Sequence, residues 1–132
     1  MRKKLLLFGG LFALLAVILG AFGAHGLKAL ITTEQLQTFH TGVKYQFYHS
    51  FALILMGLLL HLPYFVDNKF IHRAGFFFII GIFLFSGSVY LLATRDVIGL
   101  TNWKWLGPIT PLGGLTFIIG WISFIIGVSK SK

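Results

Sequence analysis

The feature that most constrains this chain is a run of 20 residues, Leu5 to Ala24, that contains no charged side chain. An α-helix rises ~1.5 Å per residue, so a helix of this length crosses the ~30 Å hydrocarbon layer of a bilayer. The run is preceded by Arg2, Lys3 and Lys4. Basic residues in this position are typical of a span that begins in the cytoplasm. A cleaved signal peptide is the rival interpretation, but its apolar core is usually only ~7–15 residues long.

The rest of the chain has the composition of an integral membrane protein. Hydrophobic residues make up 57% of the 132 residues and charged residues only 11%, which excludes an ordinary soluble domain. The formal charge of +8 could indicate nucleic-acid binding, but the basic residues stand in small groups beside long uncharged runs. The lipid bilayer is therefore the predicted partner, and nucleic acid is not.

Three further apolar segments predict three more membrane spans, at about 47–66, 74–94 and 111–128. Together with the span at about 5–24, they predict an all-α integral membrane four-helix bundle that occupies residues 1–132 as a single domain. Pro63 is expected to end the second span. Thr110 and Pro111 are suited to the N-cap and first position of the fourth.

A more polar segment at about 32–46 precedes the second span. Its apolar residues recur at helical spacing, and Thr32 and Gln35 have the spacing of a capping box. This pattern predicts an amphipathic helix near the outer interface, with Gly42 as a bend before the span.

The basic residues predict the orientation of the four spans. An even number of spans puts both termini on one side of the membrane, and that side carries seven basic residues against four on the other. We therefore expect both termini in the cytoplasm of a bacterial inner membrane. The two sets are Arg2, Lys3, Lys4, Lys69, Arg73, Lys130 and Lys132, against Lys28, Lys44, Arg95 and Lys104.

Small residues recur along two of the spans at intervals of three and four, which is the pattern of close helix contact in membranes. Two such stripes predict that the first and fourth spans pack tightly together. The alternative is that glycine is simply frequent in membrane helices. The stripe in the first span is Gly9, Ala13, Ala16, Gly20 and Gly23, and its counterpart in the fourth includes Gly113, Gly120 and Gly127.

A candidate polar cluster centres on His49, because an ionisable side chain within an apolar helix is by default a functional hypothesis. Tyr45 lies one helical turn away on the same face. The structural alternative is that these residues form hydrogen bonds with polar residues of the third span or with His25 at the outer end of the first. The full candidate set is His25, Tyr45, His49, Ser86, Ser88 and Tyr90.

Catalytic, metal and cofactor sites are not predicted. The chain has three carboxylates, Glu34, Asp67 and Asp96, and none falls within a predicted span, while cysteines are absent. A metal site using His25 and His49 would lack a recognised ligand spacing. The Ser86 to Ser88 segment has no GxSxG motif around it, and the glycines of Gly20 to Gly26 lack the GKS or GKT of a phosphate loop.

Four segments of the chain together carry a family resemblance. They are Gly20 to Gly26, Tyr45 to His49, Phe85 to Ser88 with Tyr90, and Thr110 to Gly114 with Trp121. In these segments the chain resembles the domain of unknown function 423 family of small bacterial membrane proteins, which is related to eukaryotic transmembrane protein 256. The resemblance implies a four-helix inner-membrane bundle and supplies no activity or catalytic residue. Ser50 and Phe51 depart slightly from the family pattern.

Two functional hypotheses follow. The first is a non-enzymatic accessory or membrane-organising protein that acts on lipid, on membrane proteins or on further copies of itself. The alternative is a small oligomeric transporter or channel, in which the His/Tyr cluster conducts protons or cations at the outer mouth.

Overall fold

The computed structural model describes residues 2–103 and 105–131, which form four long helices joined by short turns. Helix α1 is Arg2–Ala24, α2 is Thr33–Leu59 and α4 is Leu106–Lys130. The third consists of α-helical Lys69–Gly81, a π-helical turn Ile82–Ser86 and α-helical Gly87–Thr94, which form one rod that we call α3. The predicted all-α membrane bundle is confirmed, and α1, α3 and α4 are long and apolar enough to cross a membrane.

Helix α2 joins the predicted amphipathic segment and second span without a break. The expected capping box is present, since the Gln35 N–H donates to the Thr32 hydroxyl at 3.2 Å and the Thr32 N–H donates to Gln35 Oε1 at 2.9 Å. The predicted bend at Gly42 is wrong. A Cβ atom at Gly42 would lie 2.7 Å from the ring of Tyr90, so this glycine allows α3 to approach. The helix also ends at Leu59, before Pro63.

Consecutive helices run antiparallel to each other. Gly23 at the end of α1 contacts Phe39 near the start of α2, and Gly57 near the end of α2 contacts Leu6. The same relation holds between α3 and α4, where Gly127 contacts Ile71. The described chain ends therefore lie together with the turn at 60–68, which we call the terminal end, and the turns at 25–32 and 95–103 form the distal end.

The two stripes of small residues are packing surfaces, but the predicted pairing of the first and fourth spans is wrong. The α1 stripe faces α2, where Gly9 contacts Ile54 and Gly20 contacts Val43. The α4 stripe faces α3, where Gly120 contacts Phe78. Short turns between antiparallel helices make sequence neighbours into packing partners, so α1 packs mainly on α2 and α4 mainly on α3.

The core combines side chains from all four helices. One core cluster contains Leu53 and Met56 of α2, Phe78 of α3, Phe12 of α1 and Phe117 of α4. The outward faces of α1 and α4 are apolar and exposed, as expected of surfaces that contact lipid. Any polar side chain among these core residues must find its hydrogen-bonding partner within the bundle.

Candidate functional site

The polar residues of α2 lie about halfway along the bundle. The Gln46 side-chain amide donates to the carbonyl of Phe12, which is near the middle of the Leu5–Ala24 run, at 2.8 Å. The His49 ring stacks on Phe117, near the middle of α4, with 3.5 Å between ring centroids. The expectation that His49 lies near the outer mouth is therefore corrected. Because Phe39 lies beside Gly23, the part of α2 within the bundle starts before residue 47.

His49 links α2 to α4 and is almost fully buried, with 5% of its surface exposed. Its Nδ1 atom lies 2.7 Å from the Tyr45 carbonyl oxygen, and its Nε2 atom accepts a hydrogen bond from Trp121 Nε1 at 3.2 Å. These partners assign the proton to Nδ1, since a carbonyl accepts and an indole N–H donates. Both ring nitrogens are therefore engaged, and Phe78 packs edge-on against the ring at 4.9 Å. We call this group the histidine network.

Gln46 links α1, α2 and α3. Its Nε2 atom donates to the Phe12 carbonyl, and its Oε1 atom accepts from the Tyr90 hydroxyl at 2.8 Å. The neighbouring Ser50 hydroxyl donates to the Gln46 backbone carbonyl at 2.6 Å. Both ends of this amide are satisfied by other helices, which is the arrangement that makes a buried polar group tolerable in an apolar interior. We call this group the glutamine network.

The serines of α3 make two further links between helices. The Ser86 hydroxyl donates to the Gly42 carbonyl of α2 at 2.8 Å. The Ser88 hydroxyl lies 2.7 Å from the Thr110 hydroxyl of α4. Together with Tyr90, these residues connect α3 to both of its neighbours, but His49 bonds to none of them.

The six candidate residues therefore do not form one cluster. The expected hydrogen bonds from His49 and Tyr45 to Ser86, Ser88, Tyr90 or His25 are replaced by the two networks. Tyr45 packs its ring on Phe85 at 4.5 Å. His25 is exposed at the distal end, with its Nδ1 atom 3.0 Å from the carbonyl oxygen of Ala21.

Gln46 and Trp121 are central to the two networks but were not among the candidate residues predicted from the sequence. Gln46 carried a usable signal, because an amide within an apolar helix requires partners on neighbouring helices. Trp121 carried a weaker one, since tryptophan is common at membrane interfaces and its ring nitrogen donates only one hydrogen bond. Nothing in its position along the sequence pairs it with His49, 72 residues earlier.

The π-helical turn lies where α3 meets both neighbours. The Gly87 N–H donates to the Ile82 carbonyl, five residues back, which defines the wider turn. Within it, a Cβ atom placed at Gly113 of α4 would overlap the backbone of Phe85. The turn thus coincides with the closest backbone contact of the α3–α4 pair and with the Ser86 bond to α2.

The titratable groups do not assemble into a metal centre in the described part of the chain. Within residues 2–103 and 105–131, no group of three or more His, Cys, Asp or Glu side chains is close enough to hold a metal ion.

Comparison with known proteins relates the whole chain to one group of membrane proteins. The family model described as "Protein of unknown function (DUF423)" matches residues 19–114. The UPF0382 membrane protein YwdK of Bacillus subtilis is 42% identical over 128 residues, which cover 97% of this chain and 98% of the relative. A UPF0382 membrane protein of Haemophilus influenzae is 39% identical over 132 residues, which cover 100% of this chain and 98% of the relative.

No solved structure matches the chain. The family resemblance is confirmed by the full-length similarity to these relatives, and their names give no activity. The helices, their apolar outer surfaces and these matches lead to one conclusion: the chain belongs to the DUF423 family of membrane proteins of unknown function.

Proposed function

We propose that this protein is a non-enzymatic accessory protein that organises lipid or partner proteins in the bacterial inner membrane. The observation that carries the proposal is the engagement of Gln46 and His49, the amide and the imidazole at the middle of the bundle, in bonds within the bundle. The Gln46 amide bonds to two other helices, and both nitrogens of His49 are engaged. In this proposal the interior polar residues hold the bundle together, and the outer surfaces make the functional contacts.

The geometry of His49 supports this proposal over a proton or cation path. A histidine that transfers protons has to exchange them with water or with a neighbouring titratable group. His49 is enclosed by Phe78, Phe117 and Trp121, and a transfer would require the loss of one of its two bonds. His25, another proposed member of the path, lies exposed at the distal end, with its Nδ1 atom near the Ala21 carbonyl oxygen in the last turn of α1.

The proposed orientation has both termini in the cytoplasm. Its support is the excess of basic residues at the terminal end, where Arg2, Lys3, Lys4, Lys69, Arg73 and Lys130 lie, against Lys28, Lys44 and Arg95 towards the distal end. Lys104 and Lys132, which belong to the same prediction, are outside the described residues. A reporter fused after the last residue should be active only in the cytoplasm, and activity only outside would contradict this orientation.

Native mass spectrometry from nanodiscs tests the proposed function, because it detects lipid, partner proteins and further copies of the chain together. We expect the protein to leave the membrane with at least one of these bound. A bare monomer under gentle conditions, with no partner also after chemical cross-linking in native membranes, would contradict the proposal.

A vesicle assay with an enclosed pH dye tests the transport alternative. We expect the same proton leak from vesicles that contain the unaltered protein, the His49→Ala variant or no protein. A leak that depends on His49 at matched protein levels would contradict a purely organising role.

A further inference from the structure

Two neighbouring cavities lie at the distal end, one beside the start of α2 and one beside the turn that joins α3 to α4. Their volumes are about 360 and 240 Å³, and both are lined by Leu92 and Arg95. We call them together the distal cleft. None of the interior hydrogen bonds described above involves its lining residues, so the cleft is separate from both polar networks.

The α2 side of the distal cleft is polar and carries both signs of charge. Glu34 contributes a carboxylate and Arg95 a guanidinium, and Thr32 and Thr38 also line this cavity. A surface with one anionic and one cationic group complements a ligand that carries an ammonium and an anionic group together.

Arg95 lies at the end of a short chain of polar contacts. Its Nε atom lies 3.8 Å from Asp96 Oδ1, and the Asp96 carboxylate accepts a hydrogen bond from Gln35 Nε2 at 2.5 Å. Gln35 is fixed in turn by the capping box with Thr32. The contact with Asp96 involves the Nε atom of Arg95. A guanidinium can present its two terminal nitrogens to a phosphate in a forked geometry.

The capping box engages two N–H groups at the start of α2. The Thr32 hydroxyl accepts from the Gln35 N–H, and the Gln35 side chain accepts from the Thr32 N–H. The basic side chain that lines this cavity, and that an anion would meet, is Arg95.

The α4 side of the cleft combines apolar side chains with the polar side chain of Thr101. Leu100, Trp103 and Leu106 line it, and Trp103 stacks against Trp105 with 5.0 Å between centroids. Gly107 also lines this side, and a Cβ atom placed there would meet no atom within 4 Å. The wall is thus open beside an apolar surface with the tryptophans typical of a membrane interface. The cleft as a whole suits an amphipathic, zwitterionic molecule.

We propose that the distal cleft binds the headgroup of a zwitterionic phospholipid that carries a primary ammonium and a phosphate, of the phosphatidylethanolamine class. The phosphate pairs with Arg95, the ammonium pairs with Glu34, and the glycerol region lies along Leu106 and Trp103. This inference rests on the proposed function, because it names the lipid class that an organising protein would hold.

The test is native mass spectrometry from nanodiscs made of equal parts phosphatidylethanolamine and phosphatidylglycerol. We expect the unaltered protein to retain phosphatidylethanolamine in preference to phosphatidylglycerol. Arg95→Gln should reduce that retention about tenfold, since it removes a charge-assisted hydrogen bond to phosphate. Glu34→Gln should reduce it about threefold and abolish the preference, since exposed ion pairs contribute less.

Two further variants control for general effects on charge and folding. Lys28→Gln removes an exposed basic residue at the same end but outside the cleft, and it should leave retention unchanged. Gly107→Leu keeps the charges of Glu34 and Arg95 and fills the open space beside Gly107 in the cleft. It should therefore reduce retention of phosphatidylethanolamine while the protein keeps its helical content.

Several results would overturn the inference. Equal retention of both lipids, unaffected by Arg95→Gln and Glu34→Gln, would exclude the cleft while leaving the proposed organising function intact. Loss of all lipid, partner protein and second copy from the unaltered protein would contradict both proposals. Displacement of the lipid by millimolar O-phosphoethanolamine, with equal binding of that soluble compound in detergent, would identify a soluble zwitterion as the ligand and overturn the lipid assignment.

Discussion

The middle of the bundle and its distal end use polar residues in opposite ways. In the middle, the Gln46 amide and the His49 ring have a protein partner for each of their polar atoms. At the distal end, Glu34 and Arg95 line an open cleft. Under the proposals made above, the buried polar groups specify which helices meet, and the charges at the distal end recognise the ligand.

Substitutions at two glycines of α4 should give the largest difference in stability between the two regions. Gly113→Ala should destabilise the bundle by roughly 2–3 kcal/mol, because the added methyl group overlaps the backbone of Phe85, which cannot move like a side chain. Gly107→Ala, in the cleft, should change stability little, since nothing lies near its Cβ position. Unfolding by steric trapping in bicelles measures both. Equal effects of the two substitutions would contradict the contrast.

Gln46→Leu tests whether the glutamine network holds three helices together. The substitution removes two bonds between helices and leaves the Tyr90 hydroxyl without its partner, so we expect a loss of roughly 1–2 kcal/mol in the free energy of unfolding. Gln37→Leu is the matched control on the exposed face of the same helix and should have little effect. A Gln46→Leu variant as stable as this control would show that the network adds nothing to stability.

The histidine network should contribute less to the free energy of unfolding than the glutamine network, because it depends on one hydrogen bond between helices. A double-mutant cycle of His49→Phe and Trp121→Phe keeps aromatic packing and removes the bond, and it should give a coupling energy of about 0.6 kcal/mol. The same unfolding assay provides the four values of the cycle. Strictly additive effects would show that the two side chains pack together without a stabilising hydrogen bond.

The helices themselves were predictable because they depend on local information. The uncharged run from Leu5 to Ala24 sets the length of α1, and the Thr32 and Gln35 pair determines the cap of α2. The stripes of small residues correctly marked contact faces. Their partners could not be derived from periodicity, which identifies a face of a helix but not the neighbour that it meets.

The polar cluster was predicted less well because its contacts join residues far apart in the chain. Tyr45 and His49 were expected to bond with α3, whereas the His49 ring reaches Trp121 on α4 and Tyr90 bonds to Gln46. The depth of His49 was misjudged for a related reason. The span was predicted to start only after the charged Lys44 and the amide of Gln46. The Gln46 side chain nevertheless forms its hydrogen bonds inside the bundle.

The most direct measurement compares His49→Phe with Arg95→Gln in the same mixed-lipid nanodiscs by native mass spectrometry. We expect His49→Phe to keep the lipid profile of the unaltered protein. Arg95→Gln should retain about tenfold less phosphatidylethanolamine than the unaltered protein. Loss of lipid from His49→Phe together with normal retention by Arg95→Gln would contradict the assignment of structure to the interior and recognition to the distal cleft.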